Sequence, residues 1–266
     1  MRKQGFNSLS DCQNASHTLF RPYFVLQRSY LVCSSGSDFD SKMAKPILGY
    51  WDIRGTAEPI RYLLHYERID FEDKRYPSDD SGYDEWQKDK LSLGLDFPSL
   101  PYYIKGDIKM TNSIAIMRYV GLTRGLTGTI HEEKRRRVIV EQQSVAFHDK
   151  LRNFVVSKEY GTTGKEKFLK SVRPMFQQWE KFIGDRRFMV GDDINFVDFL
   201  VYEALDHYRL YHETILEDYP SLRAYFSRMK NLPELQEYLS SPARKAWPIF
   251  TQTAKFGGSG DPPKHL

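Results

Sequence analysis

The chain has 266 residues, 40% of them apolar, with 39 basic against 35 acidic side chains and a net charge of +4. That is room for two modest domains with an ordinary core. No apolar run is long enough to span a membrane, and the charge is too evenly mixed, with no basic stripe interleaved with aromatics, to point to nucleic acid.

The two cysteines, Cys12 and Cys33, both fall in the first 42 residues. The body of the chain therefore holds no disulfide framework, no thiolate metal site and no cysteine nucleophile, and the histidines show no metal spacing. Any sulfur chemistry has to come from a ligand. Residues 1–42 are rich in serine, carry scattered Arg and Lys, and have no acidic residue between Asp11 and Asp38. Neither a helical nor a strand period persists there, and the apolar patch Tyr23–Leu26, flanked by Arg21 and Arg28, is too short for a signal-peptide core. This composition is compatible with a mitochondrial transit peptide, but the expected reading is a disordered extension or translated upstream sequence. The folded part is expected to start at Met43, giving a cytoplasmic product.

From Lys45 to about Tyr119 short strands alternate with helices. Pro46–Tyr50 reads as a strand. A tight turn with Gly55 follows, then a helix over Pro59–Tyr66 with Pro in its first turn and Ile60, Leu63 and Leu64 on one face. This places Tyr50 at the carboxyl end of a strand beside a helix N-terminus, the edge at which open α/β sheets bind ligands. By itself a strand-end tyrosine is more often a core aromatic. Phe71–Tyr76 reads as a second strand and Pro77–Asp84 as a polar loop. Tyr102–Ile104 and Ile108–Met110 form a hairpin around Lys105-Gly106-Asp107, and Asn112–Val120 is helical. The order βαβ then ββα is thioredoxin-like. Pro101, at the head of a strand, is compatible with a cis Leu100–Pro101 bond, which would turn the Leu100 backbone toward an extended ligand.

Leu122–Ile130 reads as a linker, and every later period is helical. Glu132–Lys158 and Lys165–Phe182 give two long helices. Asn195 is an N-cap with Asp198 three residues on, as a capping box requires, and Ile194 and Phe199 take the hydrophobic staple positions. Pro220–Met229 and Pro233–Leu239 supply two shorter helices. The Gly- and Pro-containing tail, 257–266, is expected to be flexible. The fold class is thus α/β plus all-α: a thioredoxin-like domain over 43–126 and an all-helical domain over 131–256.

That arrangement resembles a cytosolic glutathione transferase. The run from Ile47 to Gly55, reading ILGYWDIRG, resembles the mu-class opening. Leu93–Tyr102, LGLDFPSLPY, resembles its middle motif, and Phe196–Leu200, FVDFL, its helical-domain capping segment. Ala246-Trp247-Pro248 with Phe256-Gly257-Gly258 is similar to invertebrate mu enzymes. The resemblance spans roughly Met43 to Phe256.

What the resemblance implies is conjugation of reduced glutathione to hydrophobic electrophiles, a detoxifying activity, in a two-fold homodimer. Glutathione is a co-substrate and no cofactor is expected. Tyr50 matches the catalytic tyrosine. Trp51, Trp86 and Lys90 match residues at the glycine end of glutathione. Ser99, Leu100 and Pro101 match the segment facing its cysteinyl part, and Asn112 and Ser113 match the γ-glutamyl site. A carboxylate belongs at such a helix start, where free N–H groups and the dipole meet it. An electrophile pocket is implied at Trp51, Thr56, Val145, His148, Val156 and Phe250, with His148 read as a polar helix residue rather than a catalytic one. Phe97 matches the aromatic that inserts into the partner subunit. Several matched positions depart from the mu pattern. Asn112 stands for a glutamine and Ser99 for an asparagine, Ala146 for an acid that reaches the neighbour's glutathione, and Val156 for a tyrosine that assists some substrates. The alternative is a non-catalytic binding protein for apolar ligands.

Overall fold

The computed structural model describes residues 44–258 and 260–266. The expectations for residues 1–42, including both cysteines, and for a start at Met43 lie outside the described residues.

Four strands form one sheet in the order β2-β1-β3-β4. β1 (Ile47–Trp51) runs parallel to β2 (Glu72–Tyr76) and antiparallel to β3 (Tyr102–Lys105), which pairs antiparallel with β4 (Ile108–Thr111). The parallel pair needs a crossover, supplied by α1 (Glu58–Tyr66) with Pro in its first turn. Nearly all of α1 is buried: Ile60, Tyr62, Leu63 and Leu64 are inaccessible, and so are Glu58 and Arg61. A helix apolar on one stripe would leave its other face wet. This one instead lies between the sheet and the helical part of the chain, and carries charge on its second face.

The expected loop over Pro77–Asp84 is corrected by the structure, since α2 (Asp80–Ser92) begins inside it. Asp79 caps α2, accepting from Ser81 N at 3.0 Å and Gly82 N at 3.2 Å. The true order is therefore βαβαββα rather than βαβ followed by ββα. α3 (Ser113–Thr123) closes this half. Asn112, expected within that helix, is its N-cap with φ 74°, its side chain accepting from Ile114 N and Ala115 N.

The helical half contains α4 (His131–Val156), α5 (Thr162–Ile183), α6 (Phe196–Tyr211), α7 (Pro220–Lys230) and α8 (Pro233–Ser240). Its core is a stack of aromatics: Phe147 lies face to face with Tyr208 (4.5 Å, 20°) and Phe154 with Phe168 (4.1 Å, 9°). α6 is buried almost throughout. Its start is built as the capping box requires: Asp198 accepts from Asn195 N at 2.8 Å and from Met189 N at 2.9 Å.

The C-terminal segment, expected to be flexible, is tied to the fold. His265 Nε2 lies 3.1 Å from the carbonyls of Arg209 and Leu210, the Arg209 guanidinium donates to His265 O, and Trp247 Nε1 donates to Gly260 O. Among the described residues no helix is long and apolar enough to cross a membrane, and no cluster of metal-ligating side chains occurs.

Candidate active site

The site is organised at the carboxyl end of β1. Tyr50 is the last residue but one of that strand and is 8% exposed. The chain then turns over Asp52–Ala57, and Gly55, at φ +49°, brings the backbone back against the tyrosine hydroxyl. Thr56 meets that hydroxyl with two donors, its backbone N–H at 3.3 Å and its side-chain hydroxyl at 3.2 Å. Tyr50 thus accepts from inside the fold, and its single proton remains for a partner outside. The C-terminal segment clamps the turn from the far side: Arg54 N donates to Pro248 O and Gly55 N to Ile249 O, while Lys245 pairs with Asp52.

Trp51 and Leu100 pack against the cluster of Tyr50, Ile53 and Ala57. The Leu100–Pro101 bond is cis, as the sequence allows. Ser99 beside it is exposed. Trp86 and Lys90 lie one turn apart on α2, the helix that the sequence reading missed. Trp86 is 6% exposed and stacks on Tyr102 (6.0 Å, 18°) with Tyr76 against its edge. Lys90 has no carboxylate within 4.0 Å among the described residues. Ser113 opens α3. With Asn112 capping Ile114 N and Ala115 N, no protein partner among the described residues is recorded for the Ser113 N–H or hydroxyl.

A cleft of about 260 Å³ joins this edge to the helical half. Gly55, Thr56 and Pro59 line one side, Asn112, Ser113 and Ile114 the second, and Ser144, Val145, His148, Asp149 and Arg152 of α4 the third, with Leu200 and Glu203 of α6 beyond. Three expected pocket residues, Thr56, Val145 and His148, are brought together here. Three others are not. Phe250 is 3% exposed and packed on the rings of His148 (5.8 Å) and His207 (5.0 Å), so it supports the wall from within. Val156, the last residue of α4, lies 11 residues beyond Val145, roughly 16 Å at 1.5 Å per residue, and is 44% exposed. Trp51 packs against Tyr76 at 6.3 Å and is not part of the cleft wall.

Beneath the cleft lies a charge cluster that sequence reasoning did not find. Arg54 donates to both oxygens of Glu203 at 3.0 and 2.6 Å and to Asp206 at 2.7 Å, all three side chains being buried. Tyr62 donates to Glu203 at 3.0 Å. His207 Nε2 sits 2.8 Å from Glu203 Oε1 but off the hydrogen-bond line. Burial alone would push the Glu203 and Asp206 carboxyls up. The Arg54 guanidinium, joined at Asp206 by Arg209, outweighs it and holds both below the usual carboxylate range. Burial also lowers His207, favouring its neutral form, and the second cation of the cluster is Arg209, 2.8 Å from Asp206. A few residues away, Arg61 spans Glu58 and Asp73, and Tyr238 donates to Glu58. Arg54 and Glu203 are 149 positions apart, so no local spacing announces the pair. The only sequence signal is the unusual presence of charges inside strongly apolar runs.

Thioredoxin-like sheet, helical second half and a cleft between them define a class, and comparison with known proteins supplies the family. Residues 46–121 match the model for the glutathione S-transferase N-terminal domain, and residues 146–242 match one for its C-terminal domain. The class-mu 26 kDa isozyme 7 of Fasciola hepatica is 36% identical over 81% of this chain and 98% of its own length. A glutathione S-transferase of Dermatophagoides pteronyssinus is 40% identical over 77% and 94%. Among solved structures, the glutathione S-transferase Blo t 8 superposes with a TM-score of 0.72 at 32% identity, covering 79% of this chain and 99% of that one. The chain belongs to the glutathione S-transferase family, beside the mu class, and is an enzyme of that kind.

Proposed function

We propose that the protein joins reduced glutathione to hydrophobic electrophiles and that Tyr50 holds the glutathione sulfur as a thiolate. The observation that carries this is the pair of Thr56 donors on the Tyr50 hydroxyl. With its lone pairs occupied from within, the phenol acts as a donor, and it does so at the edge of the cleft. A free thiol titrates near ~8.5, so making it mainly thiolate at neutral pH requires a shift of roughly two units, about 2.7 kcal/mol. One hydrogen bond to a charged acceptor supplies about 1.5–3 kcal/mol. Tyr50 therefore need not ionise. The thiolate attacks the electrophilic carbon, forming the C–S bond as the leaving group departs or the π pair moves to a neighbouring atom.

Around that centre the γ-glutamyl carboxylate of glutathione is assigned to Ser113, at the N-terminus of α3. Asn112 is assigned to the same end through its amide, since its oxygen is engaged as the cap. The backbone of Leu100, with Ser99 and Pro101 framing it, is assigned to the cysteinyl part, and Trp51, Trp86 and Lys90 to the glycine carboxylate. Phe97, 80% exposed on the loop before β3, supports a two-fold dimer in which it enters the neighbour. Sedimentation of the parent beside Phe97→Ser tests that point: a dimer in both, or a monomer in both, removes Phe97 from the interface.

The test of the chemistry is conjugation of a chromogenic aryl halide by the full chain and by Tyr50→Phe. The expected result is a fall in kcat/KM of about 10²-fold, the scale of one lost hydrogen bond to developing charge, together with a raised pKa of bound glutathione. Full activity in the variant overturns the role of Tyr50.

A further inference from the structure

The cleft that receives the second substrate is expected, from the resemblance, to be apolar. Its α4 wall is not. One turn apart on that wall stand His148 and Arg152, with Asp149 between them in sequence. Arg152 uses only its Nε, donating to Asp149 Oδ1 at 3.1 Å. Neither terminal guanidinium nitrogen has a recorded protein partner among the described residues, and the side chain is 49% exposed. Asp149 is also approached by His148 Nδ1 at 3.4 Å, and His148 Nε2 is buried with no protein hydrogen-bond partner. The other acid at the cleft, Glu203, is spent on Arg54. Each acid of the wall is thus engaged with an arginine, Glu203 with Arg54 and Asp149, through Oδ1, with Arg152: Asp149 fixes the Arg152 guanidinium by its inner nitrogen and leaves the outer fork, the part that matches a carboxylate geometrically, available to a ligand.

We propose that Arg152 is a specificity-determining residue, and that the preferred second substrates are aromatic or unsaturated electrophiles carrying an anionic group, a carboxylate above all. This rests on the cleft being the electrophile site. Ring or double bond lies toward Thr56 and Val145, where the glutathione sulfur is delivered, and the anion lies against the Arg152 fork. The reaction is the ordinary one. With an aryl chloride, the sulfur forms its bond to the ring carbon and chloride leaves with the electron pair of the C–Cl bond; the anionic group takes no part in the step. A guanidinium in a half-exposed cleft attracts such a group without a large desolvation penalty, and one charge-assisted contact at the weak end of its range corresponds to about tenfold in specificity.

The test compares 4-chloro-3,5-dinitrobenzoate with its methyl ester as substrates of the full chain, of Arg152→Gln and of Arg152→Lys. The readout is the ratio of kcat/KM for the acid to that for the ester, which cancels any general damage to fold or glutathione site. The expected ratio falls about tenfold in Arg152→Gln and stands between the two in Arg152→Lys. A ratio unchanged by Arg152→Gln, or a lysine variant indistinguishable from glutamine, overturns the proposal. Binding of the two glutathione conjugates, acid and ester, is measured in parallel by calorimetry. If the parent turns over neither substrate yet binds the acid conjugate more tightly in an Arg152-dependent way, the transferase chemistry falls and the anion site stands. Equal binding of both conjugates by the parent and Arg152→Gln overturns the anion site whatever the turnover.

Discussion

Thr56 reaches Tyr50 twice, through its backbone N–H and through its hydroxyl, at 3.3 and 3.2 Å. Both contacts feed the phenol oxygen, and each makes the phenol proton a better donor by polarising the O–H bond. Thr56→Val keeps the shape and the backbone donor and removes the hydroxyl. The bound glutathione thiol should then titrate higher by a few tenths of a unit, and kcat/KM for a neutral aryl halide should fall by about 3–10-fold, the scale of one modest hydrogen bond. Ultraviolet titration of the enzyme–glutathione complex reads the first quantity and steady-state kinetics the second. An unaltered thiol pKa would remove Thr56 from the chemistry and leave it as a packing residue.

Gly55 holds the same oxygen in place by lacking a side chain. A Cβ there would come within 2.6 Å of the Tyr50 hydroxyl, and the residue sits at φ +49°, in the left-handed region. Gly55→Ala should cost about 1–3 kcal/mol in backbone strain and in addition push Tyr50 out of line, lowering kcat/KM at least tenfold. Gly125→Ala is the control. It has φ +76° with nothing within 4 Å of the added Cβ, so it should show the strain in urea denaturation and none of the catalytic loss.

The β1–turn–α1 unit was legible because Gly and Pro punctuate it and because Tyr50 closes an apolar run. The capping box at Asn195 and Asp198 was legible for the same reason: it is written within four residues. α2 was not, since Asp79-Asp80-Ser81-Gly82 reads as a loop and only Gly82 and Trp86 of the whole helix are buried, too few to set a helical period. Phe250 was placed in the pocket by the family resemblance. What decides its place is packing on His148 and His207, a relation that no local pattern encodes. Arg152 was passed over because an arginine on a charged helix reads as a solvated face; the cleft beside it appears only when α4 and α1 are brought together.

Arg54 should dominate the acid stability of the protein. Glu203 and Asp206 are held below the usual range despite burial, because Arg54 contacts both and Arg209 adds a second contact to Asp206. An acid whose folded pKa is depressed contributes stability above its unfolded pKa, near ~4, and withdraws it as the pH falls through the folded value. Between about pH 5 and pH 3 the unfolding free energy should therefore drop, by up to ~1.4 kcal/mol per pH unit for each such group. Asp206→Asn should flatten that slope by one group's share. Urea denaturation at several pH values checks it, and a slope identical to the parent's would show that Asp206 titrates normally. Arg54→Met leaves Glu203 buried without its cation, while Asp206 keeps Arg209 at 2.8 Å, and should cost about 3–5 kcal/mol at neutral pH.

Asp198 works in the opposite direction. Its carboxyl is buried and pushed up to about 7, burial outweighing the hydrogen bonds it accepts from Met189 N and Asn195 N. An acid raised in this way favours the folded state most when protonated, so its contribution is full below the unfolded pKa near ~4 and diminishes as the pH rises through 7. Two variants separate the cap from the charge. Asp198→Ala strands two buried N–H groups and frees the start of α6, the helix that forms the floor of the helical half; it should cost about 2–5 kcal/mol at any pH. Asp198→Asn keeps an acceptor but cannot ionise, so the stability gap between it and the parent should narrow from pH 5 to pH 8. A gap that stays constant over that range would mean that the carboxyl is already ionised at pH 5, and that the two N–H donors, rather than burial, set its charge.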